Sequence, residues 1–193
     1  MKARIRKCIS SSVENYHHIL DDKELQKNIE ELTLLSVKAL KNDKKMLFCG
    51  NGGSASDAQH IASELSGRFY KNRPPLYAEA LHVNSSYVTA AANDFGYDSI
   101  YARMLEACGR KGDILIGIST SGNSSNVIKA LKKANDIGMK TIGLTGKKGG
   151  EMNSACDITL KVPSDDTPRI QEVHILLGHI ICQLIEEELF PNV

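Results

Sequence analysis

The sequence contains no Cys-x-x-Cys pair, and its five cysteines (Cys8, Cys49, Cys108, Cys156 and Cys182) are never closer than 26 residues apart. Neither a zinc knuckle nor a disulfide framework is written in that spacing, which leaves a reduced, cytoplasmic setting as the expectation. There is no excess of either charge: Lys+Arg is 24 against Asp+Glu 23, a formal net charge of +1. Bulk electrostatic attraction to a polyphosphate is thereby excluded, and nucleic acid is not expected as the main partner. No apolar run is long enough for a bilayer; the most apolar stretch, 175–185, is cut by His179 and Gln183. The basic start MKARIRK is followed by CISSSVENYHHIL, without the apolar core of a signal peptide, so no membrane association is expected.

What remains is globular. The chain has 193 residues, 41% hydrophobic and 24% charged. A chain of this size buries ~70% of the surface that its unfolded form exposes and needs no covalent staple to fold.

Two parts are expected. Residues 1–44 read as a helical pair. Ile5, Ile9, Val13, Tyr16 and Leu20 form an amphipathic stripe. Asp21-Asp22 can cap a second helix whose apolar residues run from Leu25 to Leu40. Such a pair cannot bury both faces alone and is expected to pack on the sheet or on another subunit. Residues 45–193 alternate short apolar strands with helices. Strands are expected at 46–49, 81–83, 113–118, 140–144 and 157–162. Helices are expected from the loop after residue 56 to about 69, then near 85–92, 97–108, 126–137 and 170–189. Continuous apolar strands between helices predict a mainly parallel sheet covered on both faces, a three-layer α/β sandwich.

One theme recurs three times: an apolar strand, a Gly/Ser/Thr loop, then a helix. The loops are GNGGSAS, STSGNSS and TGKKGG. Right-handed crossovers bring all three to the carboxyl edge of the sheet, where α/β folds bind ligands. Helix N-termini there offer free N–H groups to an anion, and the hydroxyls of Ser119, Thr120, Ser121 and Ser124 suit one phosphate monoester. Ordinary βα turns with capping serines have the same composition, but two such loops at one edge favour a ligand. GNGGSAS lacks the Gly-Lys-Ser/Thr ending of a P-loop. Gly50, Gly52 and Ala55 satisfy a dinucleotide pattern, yet FYKNRPP stands where the ribose-binding strand would be required.

His60 and Glu64 are four residues apart on the helix after the first loop, hence on one face. They could serve as base and metal ligand, as two ligands, or as nothing more than a polar stripe. His179 lies in the apolar segment ILLGHIIC, the setting of a core histidine or of a catalyst. His174 points about 140° away from it around the helix, so the two cannot share a pocket. His17 and His18 are expected in solvent, and His82 in a structural place.

Taken together, GNGGSASDAQHIASELSGRF, AANDFGYDSIYAR, ISTSGNSSNVIKAL and TPRIQEVHILLGHIICQLIE resemble the sugar isomerase (SIS) family, and within it the sedoheptulose 7-phosphate isomerases, across essentially the whole chain. STSGNS marks only the wider superfamily of sugar-phosphate binders; the glycine loop with H-x-x-x-E, the later Gln and His is more specific. The resemblance implies the SIS fold and conversion of D-sedoheptulose 7-phosphate to D-glycero-D-manno-heptose 7-phosphate, which supplies heptose for lipopolysaccharide or related surface polysaccharide. It also implies a homotetramer with active sites at subunit interfaces, and a zinc ion. Glu64 and His179 match the catalytic pair. His60, Glu64, Gln171 and His179 match the zinc ligands. Asn51, Gly52, Gly53, Glu64, Asn93, Asp94, Ser119, Thr120, Ser121, Ser124 and Gln171 match positions that contact substrate.

Ketose–aldose isomerisation moves a proton between C1 and C2 through an enediol. Glu64 suits the base that works at carbon, and His179 the acid/base at the oxygens. Gln171 and His179 are separated by roughly 12 Å along a regular helix, so a shared ion would place Gln171 on an irregular first turn after Pro168. Two other readings compete. One is a non-catalytic SIS-domain module binding a sugar phosphate or a protein partner, as in a replication-initiator-associating relative of the family; the other is a dinucleotide enzyme.

Overall fold

The computed structural model describes residues 1–193. Two helices, α1 (Lys2–Asp21) and α2 (Lys23–Lys41), precede the alternating part. There follow β1 (Met46–Gly50), α3 (Gly53–Ser66), β2 (Ala78–Ala80), α4 (Ser85–Phe95), a 3₁₀ turn at Tyr97–Ser99 and α5 (Ile100–Cys108). The chain continues through β3 (Ile114–Ser119), α6 (Ser125–Ile137), β4 (Lys140–Thr145), α7 (Met152–Ala155), β5 (Ile158–Lys161) and α8 (Thr167–Leu189). The five strands form one sheet in the order β2-β1-β3-β4-β5, with every pairing parallel. This is the α/β sandwich expected from the sequence.

Alternation along the strands divides the core in two. Met46, Phe48, Ile114, Ile116, Ile118, Ile142 and Leu144 join the apolar faces of α2, α3 and α8. Leu47, Cys49 and Leu115 face the other way, into a second cluster built with α5 and α6. Every residue of β1 and β3 is buried, which explains why these strands read as unbroken apolar runs rather than alternating ones.

The chain leaves β1 toward β2 on one side of the sheet, while β3 lies on the other. A crevice therefore opens beyond the carboxyl ends of β1 and β3, where Gly50 pairs in register with Ile118. The loops after these two strands are GNGG and STSGN, so the topology alone places them side by side.

Asp22 caps α2 as expected, its carboxylate accepting from the Leu25 N–H at 2.9 Å. The buried side of α2 packs on α8 and β5. α1 is tied to α8 through Ser12, which donates to Glu172 at 2.7 Å and accepts from Arg169 at 2.8 Å. The apolar stripe of α1 is not covered: Ile5, Ile9, Val13, Tyr16 and Leu20 are all exposed.

Several local expectations are corrected. The second strand is Ala78–Ala80, not 81–83. Leu81 makes a last bond to the Phe48 carbonyl, after which His82 and the exposed Val83 turn away toward the Asn84-capped α4. The segment from 97 begins as a 3₁₀ turn after Gly96, whose φ of 83° breaks the helix. α3 stops at Ser66, three residues short of the expected end. α8 starts at Thr167 with Pro168 in its first turn, so Gln171 lies on regular helix and not on an irregular turn.

Candidate active site

α3 begins at Gly53, so most of GNGGSAS is the first turn of a helix and not a free loop. Gly52 caps it with φ 56° and no side-chain bond, and the first turn closes through the Ser54 and Ala55 N–H groups, which donate to the Asn51 and Gly52 carbonyls at 3.0 Å each. Asn51 is held rigidly just before the helix. Its amide donates to Asn126 Oδ1 at 2.8 Å, and its Oδ1 accepts from Asn126 Nδ2 at 2.8 Å and from the Tyr97 hydroxyl at 3.0 Å. Buried Asn126 closes this bracket, and the Tyr101 hydroxyl secures the Gly50 carbonyl. Neither Asn126 nor the two tyrosines stood out in the sequence. All three lie within AANDFGYDSIYAR and ISTSGNSSNVIKAL, two of the segments that carry the family resemblance, but local pattern gives them no role.

The second loop gathers hydroxyls. Ser119 Oγ lies 2.8 Å from Ser124 Oγ and 3.4 Å from Ser121 Oγ, in front of the N-terminus of α6. Thr120 and Ser121 line a small polar cleft together with Asn123, Lys147, Lys148, Asp165 and Thr167. The third loop, TGKKGG, braces the second. A Cβ on Gly122 would come within 2.0 Å of the Gly149 carbonyl oxygen. The Met152 and Glu151 N–H groups bond Gly122 O at 3.1 Å and Asn123 Oδ1 at 2.9 Å. The glycines of TGKKGG thus serve close backbone packing, while its two lysines supply positive charge beside the hydroxyl cluster.

His60, Glu64 and His179 converge. Each offers one ligand atom, and these atoms all lie within 4.8 Å of one another. His60 Nε2 is 3.0 Å from Glu64 Oε1 and 3.5 Å from His179 Nε2. The helical spacing of His60 and Glu64 accounts for the first contact, and the packing of α8 on α3 for the second. That packing is unusually close because Gly178 has no side chain: a Cβ there would meet Ile61 Cδ1 at 2.5 Å. The Phe69 ring stacks on His179 with centroids 5.7 Å apart. Two imidazoles and a carboxylate converging from two helices form a donor set able to hold a metal ion and leave a coordination position open.

Other expected residues fall elsewhere. The Gln171 amide lies against Gly53, where a Cβ would meet Nε2 at 2.3 Å, so it borders the glycine turn. Asn93 and Asp94 are exposed at the end of α4, and Asn93 donates to Asp94 at 3.0 Å. His174 is fully buried, its Nε2–H donating to the Thr145 carbonyl at 3.2 Å, and burial lowers its pKa to about 4. His17 and His18 are exposed. One turn before His60, Asp57 was not singled out by sequence; burial pushes its carboxyl up to about 6 against the opposing pull of His60.

A parallel α/β sandwich carrying a hydroxyl-rich turn before a helix and a His/Glu/His cluster matches a family of sugar isomerase (SIS) domains. Residues 12–146 match the SIS domain family. The phosphoheptose isomerase of Aliarcobacter butzleri is 58% identical over 165 residues, which span 86% of this chain and 87% of that protein. That of Clostridium acetobutylicum is 50% identical over 98% of this chain and 97% of its own length. The solved phosphoheptose isomerase of Neisseria gonorrhoeae superposes with a TM-score of 0.90 at 41% identity, covering 96% of this chain and 98% of that one. The chain belongs to the SIS-domain phosphoheptose isomerases.

Proposed function

We propose that Glu64 and His179 carry out the interconversion of D-sedoheptulose 7-phosphate and D-glycero-D-manno-heptose 7-phosphate, with the phosphate held at the turn of Ser119, Thr120, Ser121 and Ser124. Isomerase activity of this type follows from family membership. The product supplies heptose for lipopolysaccharide or a related surface polysaccharide. The single observation that carries the assignment is the convergence of His60, Glu64 and His179 at one point between α3 and α8.

The roles follow from chemistry. The phosphate meets neutral hydroxyls, the N-terminus of α6 and the nearby lysines, which anchors the far end of the open-chain sugar. Asn51, Gly52 and Gly53 at the N-terminus of α3, together with Gln171 against them, present amides and N–H groups to the sugar oxygens. Glu64 removes the proton from C1 or C2 and returns it to the neighbouring carbon. His179, backed by Phe69, moves the proton between the two oxygens.

His60, Glu64 and His179 would hold zinc, whereas Gln171, on regular helix against Gly53, is not brought to the cluster within this chain. When bound, the ion supplies Lewis-acid stabilisation of negative charge on the sugar oxygens. The exposed faces of α1 and α2 support a homotetramer. Tyr16, Leu20, Leu34, Leu176, Ile180 and Leu184 line an open apolar groove along α1, α2 and α8. In this reading residues 1–44 serve assembly, residues 45–193 bind the sugar phosphate, and Asn93 and Asp94 reach a neighbouring subunit's site. No helix is long and apolar enough to cross a membrane. The cytoplasm is the setting we propose, since all five cysteines are free.

Proton-exchange NMR of sedoheptulose 7-phosphate in D₂O, with and without a chelator, tests this reading. Enzyme-dependent deuterium at C1 and the appearance of aldose are expected. Unchanged ketose would instead favour a non-catalytic sugar-phosphate module.

A further inference from the structure

Arg73 and Glu186 form an ion pair whose side chains are 0% and 1% exposed. Apart from one bond from Arg73 to the neighbouring Pro74 carbonyl at 3.1 Å, its bonds run to two places. Arg73 donates to the carbonyls of Glu64 at 2.9 Å, Leu65 at 2.8 Å and Gly67 at 3.2 Å, at the end of α3. Glu186 accepts from Arg73 Nε at 2.9 Å and from the N–H groups of Phe69, Tyr70 and Lys71 at 3.2, 2.8 and 2.9 Å. One end of the pair therefore grips the residue that carries the carboxylate. The other fixes the backbone of Phe69, whose ring stacks on His179. Glu186 itself lies about two turns beyond His179 on α8.

A buried ion pair is weak evidence for stability, because apolar residues of equal volume often stabilise as well or better. Geometric specificity is the better-supported use of so many directed bonds. We propose that Arg73 and Glu186 are positioning residues for the isomerase site: they clamp the end of α3 to α8, set the separation of Glu64 from His179, and seat the Phe69 ring against His179. The proposal rests on the roles given above to Glu64 and His179. The Ile61–Gly178 contact holds the two helices together on one side of the cluster, and the clamp holds them on the other.

The test uses the full-length protein with Arg73→Met, Arg73→Lys and Phe69→Leu. Arg73→Met leaves Glu186 with its three backbone donors, so folding is expected to persist. Its kcat should fall about 10- to 100-fold, with KM held within about twofold, since a small misplacement of reacting groups costs turnover rather than binding. Arg73→Lys, which keeps the charge but loses the fork, should be intermediate. In spectra of ¹³Cε1-histidine-labelled protein, His179 should lose its ring-current shift in Arg73→Met and in Phe69→Leu. A folded Arg73→Met with wild-type kcat, or with an unmoved His179 resonance, would overturn the proposal. Should Arg73→Met fail to fold, wild-type kcat in Arg73→Lys would do the same. If the wild-type protein lacked isomerase activity, the functional reading would fail, while the His179 resonance would still decide the clamp.

Discussion

The Nε2 atoms of His60 and His179 stand 3.5 Å apart although 119 residues separate them in the chain. Their rings meet edge to face with centroids 5.0 Å apart, and Glu64 closes the group from the next turn of α3. Two imidazoles so close, with a carboxylate at 3.0 Å, present converging lone pairs that a proton or a cation must share.

Glu64→Gln keeps the shape of the side chain and removes the base. The variant is expected to fold normally and to lose about 10²–10⁴-fold in kcat. Steady-state kinetics with sedoheptulose 7-phosphate checks this; a wild-type kcat would remove Glu64 from the proton transfer.

Ser119→Ala and Ser124→Ala each delete one member of the 2.8 Å hydroxyl pair in front of α6. Losing one hydrogen bond to a charged phosphate should raise KM roughly tenfold with a smaller change in kcat. An unaltered KM in both variants would mean that the phosphate binds elsewhere.

His60→Ala and His179→Ala should each lower the zinc bound by the purified protein, read by elemental analysis after dialysis against a fixed metal buffer. Loss of one of three converging donors weakens a site that has few others. Equal zinc content in wild type and both variants would count against a metal at this place.

Gly178→Ala would drive a methyl group into Ile61, where the nearest atoms stand at 2.5 and 2.6 Å from the new Cβ. Forcing α3 and α8 apart should cost about 1–3 kcal/mol of stability and lower turnover as well, since His179 is the next residue. Denaturation and kinetics on the same preparation measure both. Full stability would show that the helices separate without strain.

His174 supplies the pH dependence. Burial holds its pKa at about 4 in the folded chain, below the ordinary 6.5, so the folded state takes up fewer protons than the unfolded one. Its contribution is complete above pH 6.5 and declines as the pH falls toward 4, which amounts to about 2 kcal/mol by pH 5. His174→Gln, which does not titrate, should flatten that part of the stability curve at constant protein concentration. An identical slope in both proteins would assign the pH dependence to other groups.

Much of this protein follows from local pattern. The unbroken apolar runs at β1 and β3 exist because both faces of a parallel sheet are covered, so period and length alone announce the architecture. The Gly/Ser loops are equally visible, since only residues with free backbones or small hydroxyls tolerate a helix N-terminus that must meet an anion. The pairing of His60 with Glu64 needs nothing beyond the helical repeat.

Tertiary structure decided the rest. Apart from the family resemblance, which grouped His60 with His179, local pattern does not tell that the two meet, because that contact depends on how closely α8 approaches α3, and so on one glycine and one isoleucine. The edge strand fell at 78–80 and not 81–83 because pairing with β1, not apolarity, ends it. The support of Asn51 by Asn126 and Tyr97, the bracing of STSGN by TGKKGG, and the hold of Arg73 and Glu186 on the end of α3 are all long-range hydrogen bonds between polar side chains or turns. Such bonds leave no periodic trace, because each depends on a distance between segments that the chain acquires only when it is packed.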